Sequence, residues 1–318
     1  MRLRFFSAAA AAAGLLGLLV MSACDSRPAP TTAAPTPPAG PHAILTVRDD
    51  LGRELSLPAR PRRVLALAPS MTEMLFAVAD PTTIIGRSKV CDFPAAALAR
   101  PAVSTYPLDL EGVIALRPEV IFTVEGITSP DDARRLAQLG IPVYYQRYGR
   151  VEDIFRGLTD LGRLLGRAAQ ARRLTDSLRA ELRKVAAGTA GAPAAGPRPR
   201  VLALASADPI YVFGLNTLFT DEIRLAGGQN ALREALPQPY PALTREYVLQ
   251  LNPDVLLGGR LGQLDSTFFK QNPELRRIRA YQTGHVFPVS SNLISRPSPR
   301  VVETVRQLRQ LLQAAEDK

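Results

Sequence analysis

The chain has 318 residues, 46% of them apolar and 21% charged, which is long enough for two domains, each with its own core, and too apolar for a disordered or fibrous protein. Lys plus Arg number 39 against 29 Asp plus Glu, a formal net charge of +10, yet the arginines are scattered and no block of five or more basic residues occurs. The balance leaves an anionic surface or ligand open and argues little for nucleic acid as a partner.

Residues 1–23 carry Arg2 and Arg4, an apolar run from Phe5 to Val20, and then Met21-Ser22-Ala23, the layout of a secretory signal. The tetrad Met21-Ser22-Ala23-Cys24 resembles a bacterial lipobox, with methionine where leucine is usual. That resemblance implies a lipid-modified Cys24 at the start of the mature chain. The alternative is a soluble secreted protein with an incidental cysteine. Residues 24–41 are rich in Pro, Ala and Thr and read as a semi-rigid spacer with a reach of about 50 Å at ~3.1 Å per residue. A domain tethered in this way works near the membrane, not in it. Asp25 resembles the signal that keeps some lipoproteins on the inner membrane.

From 42 to 150 the pattern predicts an N-terminal α/β lobe. Ala43–Val47 and Arg53–Leu57 flank a Gly-containing turn and read as a hairpin. Arg63–Ala68 reads as a buried strand, and Ser70-x-x-Glu73 as a capping box opening the next helix. Strands and helices then alternate through Ile84-Ile85, Leu110–Leu116, Val120–Val124, Asp131–Leu139 and Val143–Tyr145, which predicts a mainly parallel sheet.

Residues 151–187 form a helical connection. Its second segment, from Ala168, has Ala171, Leu174, Leu178, Leu182 and Val185 at spacings of three and four, and is long enough to reach from one lobe to another. A loop is expected at 188–199 and a C-terminal α/β lobe at 200–318, closing with a helix near 299–315.

Two stretches of the second lobe repeat the first. Leu110–Phe122 reads LEGVIALRPEVIF and Arg245–Leu257 reads REYVLQLNPDVLL, with Glu111 and Glu246 placed 135 residues apart. Arg63–Ala68 likewise recurs as Arg200–Ala205. Two echoes in the same order predict two similar, Rossmann-like lobes joined by one long helix, with a ligand cleft between them.

Few residues offer chemistry. Cys24 and Cys91 are the only cysteines, and His42 and His285 the only histidines, so neither a disulfide in the mature chain nor a histidine metal site is expected. There is no G-x-S-x-G, no Walker lysine loop and no G-x-G-x-x-G after a strand. Tryptophan is absent, which draws attention to Tyr106, Tyr211 and Tyr240, each in a loop between elements. They either contact a ligand or pack over their own lobes. Asp92 and Phe93 follow a strand, Ser70 starts the first-lobe helix, and Arg296 precedes the last helix; all four are candidate cleft residues, the alternatives being a mere turn at Asp92-Phe93 and a solvated surface charge at Arg296. Glu111 and Glu246 open short helices, where a carboxylate complements the helix dipole and caps free N–H groups. As a pair they also present matched negative charges on one face.

The stretches RVLALAPSMTEMLFA, IIGRSKVCDFP, STYPLDLEGVIALRPEVIF, AGGQNA and LTREYVLQLNPDVLL together resemble the ABC-transporter substrate-binding proteins that serve cobalamin, haem and ferric siderophores. The chain is most similar to the vitamin B12-binding branch. The resemblance implies a binding protein, not an enzyme, with no resident cofactor, lying in the cell envelope and facing the periplasm. It implies that Glu111 and Glu246 dock on arginines of the two permease subunits. It also implies that Tyr106, Tyr211, Tyr240 and Arg296 line the ligand cleft, the first and third of these where the branch has tryptophan. Cobalamin is the expected ligand, haem or a ferric siderophore the alternative. An envelope enzyme using Asp92 and Arg296 is a third possibility.

Overall fold

The computed structural model describes residues 43–190, 198–258, 268–289 and 296–316. The signal, Cys24 and the spacer fall outside these. The chain enters through an antiparallel hairpin, β1 (Ile44–Arg48) and β2 (Glu54–Pro58), in a register that pairs Val47 with Leu55. Asp49 holds the turn by accepting the N–H groups of Leu51 and Arg53.

The first lobe contains β3 (Val64–Ala66), α1 (Pro69–Val78), β4 (Ile84–Ser88), β5 (Ala102–Val103), α2 (Leu110–Ala115), β6 (Val120–Val124), α3 (Pro130–Gln138) and β7 (Val143–Gln146). Its sheet has the order β5-β4-β3-β6-β7 and is parallel throughout. Helices α4 (Val151–Leu164) and α5 (Ala168–Ala190) follow. The second lobe contains β8 (Arg200–Ala207), β9 (Ile210–Val212), α6 (Leu218–Leu225), β10 (Gln229–Asn230), α7 (Arg245–Leu251), β11 (Val255–Gly258), α8 (Phe268–Gln271), α9 (Arg279–Gln282), β12 (Val286–Pro288) and α10 (Val301–Glu316). Its strands run β10-β8-β11-β12 in parallel, with β9 antiparallel on β8. This is the two-lobed α/β architecture that the alternation predicts.

The sequence echo reappears as hydrogen-bond register. Val64 pairs with Val120 and Leu65 with Ile121 in the first sheet; Val201 pairs with Val255 and Leu202 with Leu256 in the second. Equivalent residues of the two copies therefore meet equivalent partners, and the repeated sequence is the central strand pair of each sheet.

Separate cores for the two lobes are the expectation from length, and the structure corrects it. Parallel strands bury both faces, and period-two alternation sends Val64 and Ala66 one way and Leu65 and Leu67 the other. The first set joins Val201 and Leu257 of the second lobe in one continuous cluster through Met71 and Leu75 of α1, Ile154 and Leu158 of α4, Phe219 of α6 and Val305 of α10. Only the opposite faces are private: Leu65, Ile121 and Leu136 in one lobe, Leu202, Leu256 and Ile278 in the other. Hinge motion would expose the shared layer to water, so the fold resists closure.

Helix α5, 23 residues long, packs on both α4 and α10 and so touches both sides of this layer. It runs three residues beyond the expected end at 187. The approach of α5 to α4 is set by Gly162, where a Cβ would sit 2.3 Å from that of Ala171.

The capping box at Ser70 does not form. Proline favours the first helical position, and α1 begins at Pro69 with Ala68 as its cap residue and no side-chain cap. Ser70 is thus inside the helix and buried, and Glu73 is freed to bond elsewhere.

Candidate functional site

The loops that carry the candidate residues leave the C-terminal ends of the strands, where open α/β sheets bind ligands. Tyr211 is the exception to the loop placement expected for it: on the second lobe it is the middle residue of the short strand β9, whose neighbours Ile210 and Val212 are buried while it projects outward. An antiparallel bridge from Tyr211 to Ala242 brings in the Tyr240 loop, and the Tyr240 ring meets Phe213 edge-on at 5.4 Å. Tyr211 and Tyr240 remain 39% and 48% exposed. Tyr106, after β5 of the first lobe, is 95% exposed and makes no ring contact among the described residues. The structure thus brings Tyr211 and Tyr240 together and leaves Tyr106 apart from them. Through Phe213, a buried core residue, Tyr240 also packs on its own lobe, whereas Tyr106 makes no such ring contact among the described residues.

A charged cluster joins the lobes at the β4–β12 end. The Arg296 guanidinium bonds the Asp92 carboxylate and reaches Glu73 at 3.4 Å, while Arg300 forks onto Glu73 at 2.8 and 2.6 Å. Glu73 is 3% exposed, so the arginines stand in for the water it lost. The Arg296 hydrogen bond holds the Asp92 carboxyl below the usual carboxylate range, against some desolvation. Arg300 also lies 4.6 Å over the ring of Phe93, and a cavity of about 170 Å³ opens between Phe76, Phe93, Pro299 and this arginine. Glu73 and Arg300 are the members that the sequence reading passes over. A glutamate four residues into a helix reads as a cap or a solvated charge, and Arg300 carries its signal only as the second arginine of Arg296-Pro-Ser-Pro-Arg300.

The opposite end of the cleft is bridged by the Val151 N–H, at the start of α4, donating to Asp221 of α6 at 2.9 Å. Beside it lies the larger cavity, about 540 Å³, between the β7–α4 and β9–α6 connections. Sequence reading gives no notice of it, because its walls come from segments 70 residues apart.

Glu111 and Glu246 are both exposed and make no ion pair among the described residues. Neither is the helix cap. Asp109 accepts the Gly112 N–H at 2.9 Å and Thr244 the Tyr247 N–H at 3.2 Å, again at equivalent places in the two copies. Glu246 bonds its own N–H and the Thr244 hydroxyl, which keep its carboxyl below the usual range. Glu111, in the first turn of α2, is left with the helix dipole as its stabilising partner.

Cys91 is buried, with its Sγ 3.2 Å from the Phe93 carbonyl. Among the described residues no group of three His, Cys, Asp or Glu is placed to hold a metal, and no helix is long and apolar enough to cross a membrane.

Comparison with known proteins places this architecture. The cobalamin-binding protein of Halobacterium salinarum is 28% identical over a match covering 92% of this chain and 82% of that protein. Among solved structures, the periplasmic vitamin B12 binding protein BtuF of Vibrio cholerae aligns with a TM-score of 0.71 at 21% identity, covering 81% of this chain and 99% of the other. A periplasmic heme binding protein from Pseudomonas aeruginosa aligns with a TM-score of 0.70 at 26% identity, covering 80% and 92%. The family model described as periplasmic binding protein matches residues 64–293, from the first strand of the first sheet to beyond the last strand of the second. The chain belongs to the periplasmic binding protein family.

Proposed function

We propose that the protein captures cobalamin in the cleft between its lobes and delivers it to the permease of an ABC importer. The observation that carries this reading is the set of outward-facing tyrosines, Tyr106 on one lobe and Tyr211 with Tyr240 on the other, at the strand ends of a chain related along 92% of its length to a cobalamin-binding protein. Exposed aromatic faces with a polar tip suit a large flat ligand bearing polar substituents. Ser70, Asp92, Phe93 and Arg296 belong to the same reading as the β4–β12 wall of the cleft, with Asp92 and Arg296 ion-paired and Phe93 under the Arg300 guanidinium. The ligand is cargo, and the protein keeps no cofactor.

The wider proposal has three further parts. Lobes at 42–150 and 200–318 are joined by the helices of 151–187. Glu111 and Glu246 dock on the permease. Cys24 carries a lipid that holds the protein at the envelope membrane, facing the periplasm, with 24–41 as its tether. Likeness to the P. aeruginosa heme binding protein supports a second reading in which the same cleft takes haem or, by extension, a ferric siderophore. An envelope enzyme is the weakest reading, because Asp92 and Arg296 bond each other and the depressed Asp92 carboxyl is a poor general base near neutral pH.

Equilibrium dialysis of the purified protein against cyanocobalamin, haem and a set of ferric siderophores tests the assignment. Saturable cobalamin binding is expected. Binding of haem or a siderophore with none of cobalamin would overturn the primary reading and leave the second.

A further inference from the structure

The 540 Å³ cavity at the β7–β9 end of the cleft has a composition that the tyrosines do not explain. From the first lobe come Arg147, Gly149, Arg150 and Asp153; from the second, Leu215, Asn216, Thr217, Thr220, Asp221 and Arg224. Three arginines face two carboxylates, and both carboxylates are already engaged. Asp153 accepts the N–H groups of Gly149 and Arg150 at 2.9 and 2.8 Å, and Asp221 accepts the Val151 N–H while bonding Arg224 at 3.0 and 2.8 Å. Arg147 is matched by Glu125, which lies outside the cavity lining. Arg150 has no carboxylate partner among the described residues. Each guanidinium carries five N–H donors and a carboxylate fork uses two, so unspent donors surround the space. The Thr217 and Thr220 hydroxyls both donate to the Gly214 carbonyl, so the side-chain donors left in the lining are those of the arginines and Asn216.

The cavity is continuous with the aromatic wall. Phe213 packs on Tyr240, the Gly214 N–H donates to the Pro239 carbonyl at 2.9 Å, and the next residues, Leu215 to Thr217, line the cavity. A Cβ on Gly214 would sit 2.9 Å from that carbonyl oxygen, so the tight turn joining the two regions requires glycine.

We propose that this cavity is an oxyanion subsite of the cleft, in which Arg150, flanked by Arg147 and Arg224, binds a phosphodiester or carboxylate on the rim of the ligand. The inference rests on the binding function proposed above and adds its charge requirement. Both candidate ligand classes can meet it, cobalamin through the phosphodiester of its nucleotide loop and haem through its propionates. The site therefore selects for an anionic substituent beside a flat ring, not for the ring itself.

The test compares ligands with and without the acid: cyanocobalamin against dicyanocobinamide, which lacks the phosphodiester, and haem against its dimethyl ester. Each is titrated into the wild-type protein, Arg150→Gln and Arg150→Lys. For whichever acid-bearing ligand binds, Arg150→Gln is expected to weaken affinity by about tenfold or more, Arg150→Lys by much less, and the acid-free partner to bind wild type and variants alike. Weakening of the same size for acid-bearing and acid-free forms, or no weakening for either, overturns the subsite and leaves the binding function standing. Binding of none of the four ligands overturns the cobalamin and haem assignments and the subsite with them. Arg150 is exposed, so the variants are expected to fold as the wild type does.

Discussion

Arg63 and Arg200 make the same two-pronged grip 137 residues apart. Arg63 donates to the carbonyls of Leu116 and Arg117 at 2.6 and 2.9 Å, and Arg200 to those of Leu251 and Asn252 at 2.7 and 2.5 Å. In both lobes the gripped carbonyls end the helix whose second residue is the exposed glutamate, and Arg117 and Asn252 both have positive φ, 48° and 41°. An acid two residues later, Glu119 or Asp254, accepts the backbone N–H of the arginine. The repeat is therefore a complete junction that fixes a short helix to the central strand pair.

Removing the grip leaves helix-end carbonyls without donors. Arg63→Ala and Arg200→Ala are each expected to cost roughly 1–3 kcal/mol. Arg200→Ala should cost more, since the Arg200 side chain is part-buried and also lies 3.5 Å from Asp254, whereas the Arg63 bonds are solvent-exposed. Urea denaturation of the two variants measures the difference, and a larger loss at Arg63 would contradict this account.

Glu222 of α6 carries a different liability. It is 1% exposed, and its Oε2 has no hydrogen-bond partner among the described residues. Desolvation first, then the neighbouring Asp221, push its carboxyl well above the ordinary 4.5. The unfolded chain then ionises where the folded one stays protonated, so stability is highest below the unfolded value and falls as pH rises through it. Glu222→Gln is expected to be increasingly stabilising relative to wild type from pH 4.5 upward, by at most about 1.4 kcal/mol per pH unit. Thermal unfolding of both proteins between pH 4 and 8 reads this out. A difference that stays flat over that range would show that the folded state ionises Glu222 as freely as the unfolded chain.

How far the sequence carries the reader differs by feature, for physical reasons. Strands β3, β6, β8 and β11 are legible because parallel strands buried on both faces leave continuous apolar runs, and Pro118 and Pro253 punctuate them. The junctions repeat, so their glutamates stand out. The shared core is not legible, because an apolar stripe on α1 or α6 says that it is buried but not against which sheet. The same limit hides Glu73: its pairing with Arg300 spans 227 residues, and no local pattern marks a helix glutamate whose partner arrives from the far end of the chain. The arginine-lined cavity is assembled from the β7–α4 and β9–α6 connections, some 70 residues apart, and only the fold sets them face to face.

The two exposed glutamates give a prediction that separates function from capping. Asp109 and Thr244 already occupy the cap positions, so Asp109→Ala and Thr244→Ala are expected to cost about 1 kcal/mol each in stability. Glu111→Ala, at an exposed site with no ion pair, should stay within about 0.5 kcal/mol of wild type. Under the proposed role, the double variant Glu111→Ala/Glu246→Ala keeps its ligand affinity, because neither residue lines either cavity, while ligand uptake by cells carrying the matching permease falls at least about tenfold through lost docking. Each single variant should retain part of the uptake, since one lobe still engages. Charge reversal to lysine at both positions should be worse than alanine, as repulsion from permease arginines replaces a missing attraction. Normal uptake by the double alanine variant would remove the glutamates from the docking surface and leave Glu246 as an accessory to the Thr244 cap.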